Sequence, residues 1–156
     1  MDENTIPVEK SKTLLDTTVD DVKTLLNEHF PNHISFGYGS FTISRGSSQI
    51  MIIVRPFTLD ETCIELFAHV VTGATINEEL LKFLMRKNAE LHFGAFGLLF
   101  DGTITFSHSI LGSNLDPNEL VITLNSVAVI SDYYDDIIVD MAGGKRALDM
   151  VYDDAI

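Results

Sequence analysis

The stretch from residue 88 to residue 120, NAELHFGAFGLLFDGTITFSHSILGSNLDPNEL, confines the fold more tightly than any other part of the chain. Two strand-like runs, residues 95–100 and 103–110, flank Asp101-Gly102. Asp-Gly between such runs predicts a tight hairpin, because a type I′ turn needs positive φ at both central residues. The second run alternates, with Ile104, Phe106, His108 and Ile110 on one side and Thr103, Thr105, Ser107 and Ser109 on the other. One face of the hairpin therefore belongs to a core. Asp116-Pro117-Asn118-Glu119 then supplies an N-cap, a proline at the first helical position and a carboxylate at the third. Leu115 and Leu120 are spaced as a hydrophobic staple across that helix start. Almost every residue here has a structural task and none stands out as a reacting group, which points to a scaffold that presents a surface.

The rest of the chain extends this pattern. Thr17 or Thr18 is placed to cap a helix whose Val19, Val22, Leu25, Leu26 and Phe30 share one face, and Pro31 stops it. Phe41 and Ile43 alternate with Thr42 and Ser44, and Gly46-Ser47-Ser48 turns the chain. Residues 49–55 are apolar on both faces, as in a central strand that Pro56 ends, and a third strand covers about residues 62–72. Thr75-Ile76-Asn77-Glu78 has the form of a capping box opening a helix that carries Leu80, Leu81, Phe83, Leu84 and Leu91. The last helix runs through Leu124, Val127, Ala128, Ser131, Tyr134, Ile138 and Met141 to Gly143-Gly144. The predicted order is α-β-β-β-α-β-β-α, an α+β two-layer sandwich with an antiparallel sheet and its helices on one face. Residues 1–16 are expected to form a lead-in, 17–142 the domain and 143–156 a tail.

Charge narrows the partners. The 23 acidic residues against 10 basic ones give a net charge of −13, a field that repels phosphate backbones and anionic lipid. Nucleic acid and membrane are thus disfavoured, and basic protein segments are favoured. The longest apolar run, residues 50–54, is of strand length, far short of the roughly 20 residues of a membrane span. The start MDENTIPVEKSK has no signal-peptide pattern, so a cytoplasmic protein is expected. The single Cys63 excludes an internal disulfide and a cysteine-based zinc cluster, and reads as a buried inert thiol.

Groups with reactive chemistry are present but are not arranged for it. His69, His92 and His108 lack metal-ligand spacing, and His69 and Cys63 lie roughly 20 Å apart along one strand. Ser107 and His108 are adjacent in a strand, so they point to opposite faces and cannot pair as nucleophile and base. Asp132, Asp135, Asp136 and Asp140 recur at helical spacing and read as an acidic, solvated stripe. Gly37-Tyr38-Gly39 and the sequence Gly94-Ala95-Phe96-Gly97 lack the spacing of a phosphate loop. No catalytic residue, metal or cofactor is expected.

Taken together, Asn88-Ala89, Phe93-Gly94, Phe96-Gly97, Asp101-Gly102 and Asp116-Pro117-Asn118-Glu119-Leu120, with the element order and the acidity, resemble the YbjN-like family, which shares the CesT-type fold of type III secretion chaperones. The resemblance covers about residues 17–142. It implies a homodimer-forming domain that binds extended peptide segments or partner proteins without catalysis. Phe41, Ile43, Ile50 and Ile52 would supply the peptide-binding surface, though core packing explains each of them as well. Two other readings stand beside this one: a small-molecule sensor or enzyme with a pocket around His69, His92 and His108, and a structural subunit of a larger assembly.

Overall fold

A computed structural model of the protein describes the backbone of residues 6–149 and the side chains of residues 14–149. Helix α1 (Ile6–His29) leads into a meander of four strands: β1 (Ile34–Gly37), β2 (Ser40–Arg45), β3 (Ser48–Thr58) and β4 (Glu61–Thr72). Helix α2 (Glu78–Glu90), the hairpin of β5 (Ala95–Leu98) and β6 (Ile104–Leu111), helix α3 (Pro117–Ala142) and the short β7 (Lys145–Arg146) follow. The strands form one sheet in the order β1-β2-β3-β4-β6-β5, with β7 beside the end of β4. Every pairing is antiparallel. The predicted order of elements is present and the fold is the expected α+β two-layer sandwich; β1 and β7 are additions to it.

Strand alternation sorts the two faces of the sheet. Ile50, Ile52 and Val54 of β3, Ile64, Leu66 and Ala68 of β4, and Ile104, Phe106 and Ile110 of β6 join Val22, Leu26, Leu80, Leu120, Leu124 and Ile138 in one core. All three helices lie on that face. Among the described residues the opposite face carries no helix, with Met51, Ile53, Cys63 and Phe67 half-buried and Arg55, His69, Ser107 and Ser109 exposed. With no Trp in the chain, rings of Phe and Tyr fasten the far end. Phe96 lies edge-on to Phe106 at 5.1 Å and to Tyr134 at 5.3 Å, which ties β5 to β6 and α3.

The structure corrects four local expectations. Helix α1 does not begin at Thr17 or Thr18. Thr18 is buried within it, donating to the Leu14 carbonyl at 3.0 Å and sharing a 2.7 Å hydrogen bond with Thr62 of β4. Helix α2 is capped by Asn77, whose side chain accepts from the Leu80 amide at 3.0 Å; Thr75 instead gives its amide to the Ala142 carbonyl. Pro56 does not end β3, since Pro56 pairs with Thr62 of β4. The Val54 amide turns away from β4 to the Gly39 carbonyl, so the nitrogen of Pro56, two residues on, faces the side that β2 has already left.

The fourth concerns turn types. At the β5–β6 hairpin the Gly102 amide bonds to the Leu99 carbonyl, the Leu99 amide bonds to the Thr103 carbonyl, and Gly102 alone has positive φ. This is a three-residue loop with glycine in the left-handed position, not a two-residue type I′ turn. The Asp101 carboxylate accepts from the Thr103 amide at 2.9 Å, which holds its pKa below the usual aspartate value. The other end of the chain supplies the two-residue hairpin. Gly37 pairs with Ser40 across Tyr38-Gly39, both at positive φ. By contrast, Asp116 caps α3 as expected, accepting from Asn118 at 2.7 Å, and Gly143 closes it.

Candidate functional site

Phe41, Ile43, Ile50 and Ile52 all point to the helices. They are exposed by 2%, 5%, 0% and 0%, so a segment lying on the folded surface would not touch them. Large apolar side chains that do reach solvent surround them instead. Ile34 and Phe36 on β1, Tyr38 in the turn, and Phe57 and Leu59 at the β3–β4 turn are each more than half exposed. Strand β1 terminates the sheet, and all four of its residues are exposed. Beside it, register places Ile34 across from Thr42, Thr42 across from Met51, and Met51 across from Phe67. The helix-free face therefore carries a row that starts at an open strand edge.

The turn that borders this edge is unusual in its backbone. Gly37, Tyr38 and Gly39 have φ of 78°, 54° and 75° in succession. Gly39 is anchored from both sides: its carbonyl accepts from the Val54 amide at 2.9 Å, and a Cβ there would press on Val19 at 3.0 Å. Tyr38 is thereby held in a left-handed conformation that costs an L side chain roughly 1–2 kcal/mol, while its ring is fully exposed. Sequence reasoning missed β1, because none of its residues is buried and its alternation has no core to serve. The signal available was Ile34-Ser35-Phe36 between Pro31 and Gly37.

The other end of the sheet differs. At β5 the outer edge is closed at Phe96, whose amide donates to the Asn88 side-chain oxygen at 2.7 Å and whose carbonyl accepts from the Asn88 amide nitrogen at 3.1 Å. Asn88 thus imitates a neighbouring strand.

The residues considered for catalysis do not come together. His108 faces α3, His69 lies on the helix-free face in register with Thr105, and His92 is exposed in the α2–β5 loop. Ser107 points away from His108, as alternation required. Among the described residues no group of three or more His, Cys, Asp or Glu could hold a metal ion. Cys63 is half-buried and burial pushes its thiol pKa up, away from thiolate chemistry.

The acidic stripe on α3 is not uniformly solvated. Asp132, Asp136 and Asp140 are exposed, but Asp135 is 5% exposed, on the core side with Ser131 and Ile138. The Ser47 hydroxyl donates to Asp132 and to Asp135 Oδ2 at 3.3 Å. Burial raises the Asp135 pKa, and the neighbouring Asp136 and Asp132 charges raise it further. Helical spacing shows that the four can share a side; the β2–β3 turn, which packs over this part of α3, decides which one is covered.

Among the described residues, no helix is long and apolar enough to cross a membrane. Residues 14–150 match the model of the TY-Chap1 family, described as T3SS (YopN, CesT) and YbjN peptide-binding chaperone 1. A comparison with curated proteins finds no match. Among solved structures, the chain resembles one in the crystal structure of the ExsC–ExsE complex. That match has a TM-score of 0.61 and 17% identity over 77% of this chain and 95% of the other, a likeness of fold.

Proposed function

The chain belongs to the TY-Chap1 family of peptide-binding chaperones, and on that premise we propose that it holds an extended segment of a partner protein along β1 and the adjoining helix-free face. One observation carries this reading: β1 is an exposed terminal strand bordered by a turn whose fully exposed Tyr38 is kept at positive φ. Backbone strain that survives where nothing packs on the side chain supports a role in binding. An added strand would gain main-chain hydrogen bonds from β1, while Ile34, Phe36 and Tyr38 would offer apolar contacts. The net charge of −13 favours a segment rich in Lys and Arg. No step of this function requires a reacting group, and the module acts without catalysis.

A homodimer is part of the same proposal. Leu81 and Met85 on α2, with Leu98 on β5 and Phe100 beyond it, are exposed near the end of the sheet opposite β1. Because Asn88 closes β5 at Phe96, the second copy would be held by side chains there and not by a continued sheet.

The deciding experiment captures partners from the native cell on the intact protein and measures amide hydrogen exchange of the recovered complex. Protection of residues 34–37 on binding is expected, and Ile34→Asp with Phe36→Asp should abolish capture while leaving the thermal midpoint unchanged. Unaltered exchange at β1 in a bound complex would remove the basis of the proposal.

A further inference from the structure

A separate cavity of about 360 Å³ lies on the helix side of the sheet. Strands β2, β3 and β4 stand between it and β1, and it shares no residue with the surface proposed above. Phe106 and His108 of β6, Phe93 of the α2–β5 loop, and Ile122, Ser126 and Val127 of α3 are among its walls. The loop is seated closely. A Cβ at Gly94 would come within 2.6 Å of the Phe106 ring, so only glycine lets the backbone lie there and carry Phe93 over the opening. The Phe93 ring stands edge-on to His108 at 5.8 Å and is two-thirds exposed, with an outer side free for another ring.

Charge at the rim is one-sided. Glu119, in the first turn of α3, also lines the cavity, and it forms no ion pair with the described residues. The volume is at the small end of the roughly 300–1,000 Å³ found for ligand sites, which suits one large side chain and the atoms beside it. Apolar walls, an aromatic rim and one unpaired carboxylate in a protein of charge −13 select an apolar ring accompanied by a cation.

We propose that this cavity is an anchor site for a peptide in which an aromatic residue adjoins a lysine or arginine, with the ring between the exposed side chains of Phe93 and Ile122 and the cation on Glu119. The proposal rests on the peptide-binding reading but places the contact at the opposite end of the sheet. It is tested on the full chain by NMR titration with the probe acetyl-Ala-Lys-Phe-Lys-Ala-amide. Shifts centred on Ile122, Val127 and His108 are expected, with none at β1. Filling the cavity by Ser126→Leu should weaken the probe about tenfold or more. Glu119→Gln should weaken it about threefold at low salt and flatten its salt dependence. The variant Ile34→Asp with Phe36→Asp should leave this titration unchanged, so that failure of the β1 proposal and failure of this one are told apart.

Three outcomes would overturn the anchor site. In the first, the probe shifts residues elsewhere or binds Ser126→Leu undiminished. In the second, free phenethylamine binds as tightly as the peptide, which would make the occupant a small molecule. In the third, light scattering shows a dimer that Ser126→Leu converts to monomer, which would make the occupant a second copy of the chain.

Discussion

Replacing Tyr38 by asparagine separates the backbone cost of the β1–β2 turn from the use of its side chain. The ring is fully exposed, so its removal forfeits almost no apolar burial. What changes is the backbone term: the left-handed region costs a tyrosine roughly 1–2 kcal/mol, and asparagine tolerates it far better because its short amide bonds locally. Glycine would relieve the same strain but would return part of the gain through the entropy of the unfolded chain. Tyr38→Asn is therefore expected to stabilise the protein by about 1 kcal/mol, which for a domain of this size raises the midpoint by roughly 2–4 °C. Thermal unfolding followed by circular dichroism reads the gain, and partner capture reads the function. The combination expected is a higher midpoint with weaker capture, since the stabilised variant lacks the ring that faces the partner. A lowered midpoint would refute the strain argument, because it would mean that Tyr38 makes contacts worth more than its conformation costs. A raised midpoint with undiminished capture would leave the strain argument intact and remove Tyr38 from the binding surface.

Three further substitutions probe the frame. Asn88→Ala deletes both hydrogen bonds to Phe96 and should cost about 1–2 kcal/mol in urea unfolding, while Asn88→Asp keeps the acceptor for the amide, sets a carboxylate against the carbonyl and should not restore the loss. Gly112→Ala drives a methyl group into Thr62 and Thr18 and should cost about 1–3 kcal/mol, with Thr62→Ala in the same chain recovering part of it; equal stability of single and double variants would contradict the packing described. Asp135→Asn should raise the midpoint at pH 7. The folded-state pKa of Asp135 is raised, so its favourable contribution is complete below the unfolded value of about 3.9 and is lost as pH rises through the folded value. The difference between the two proteins should therefore close as pH falls towards 4, and a gap that widens on acidification would reverse the assignment.

The elements whose signals are local were legible in the chain. Asp116-Pro117 supplies cap and first-turn proline, and the structure adds only the distance from Asp116 to Asn118. Alternation in β6 sorted Phe106 from Ser107 without any knowledge of a partner strand. Where two hydroxyls or amides competed for one task, the sequence could not choose. Thr18 looks like a cap until Thr62 is brought beside it, and Thr75 looks like one although it is Asn77 whose side chain accepts from the Leu80 amide. Exposure was the least legible property. Phe41, Ile43, Ile50 and Ile52 read as a peptide-binding row and as core strand residues with equal ease, and only the arrival of the helices on their face distinguishes the two.

The sequence by itself determined the class of fold, the succession of helices and hairpins, the strong negative charge and the absence of any spacing suited to a reacting centre. Those follow from periods of two and 3.6, from turn chemistry and from charge, all of which act over a few residues or over none in particular. Tertiary structure alone decided that β1 is the open end of the sheet, that Asn88 closes the other, that Asp135 leaves its acidic neighbours for the interior, and that a cavity remains between β6 and α3. Each depends on which residue distant in sequence comes to occupy the adjoining space, and no local pattern encodes that.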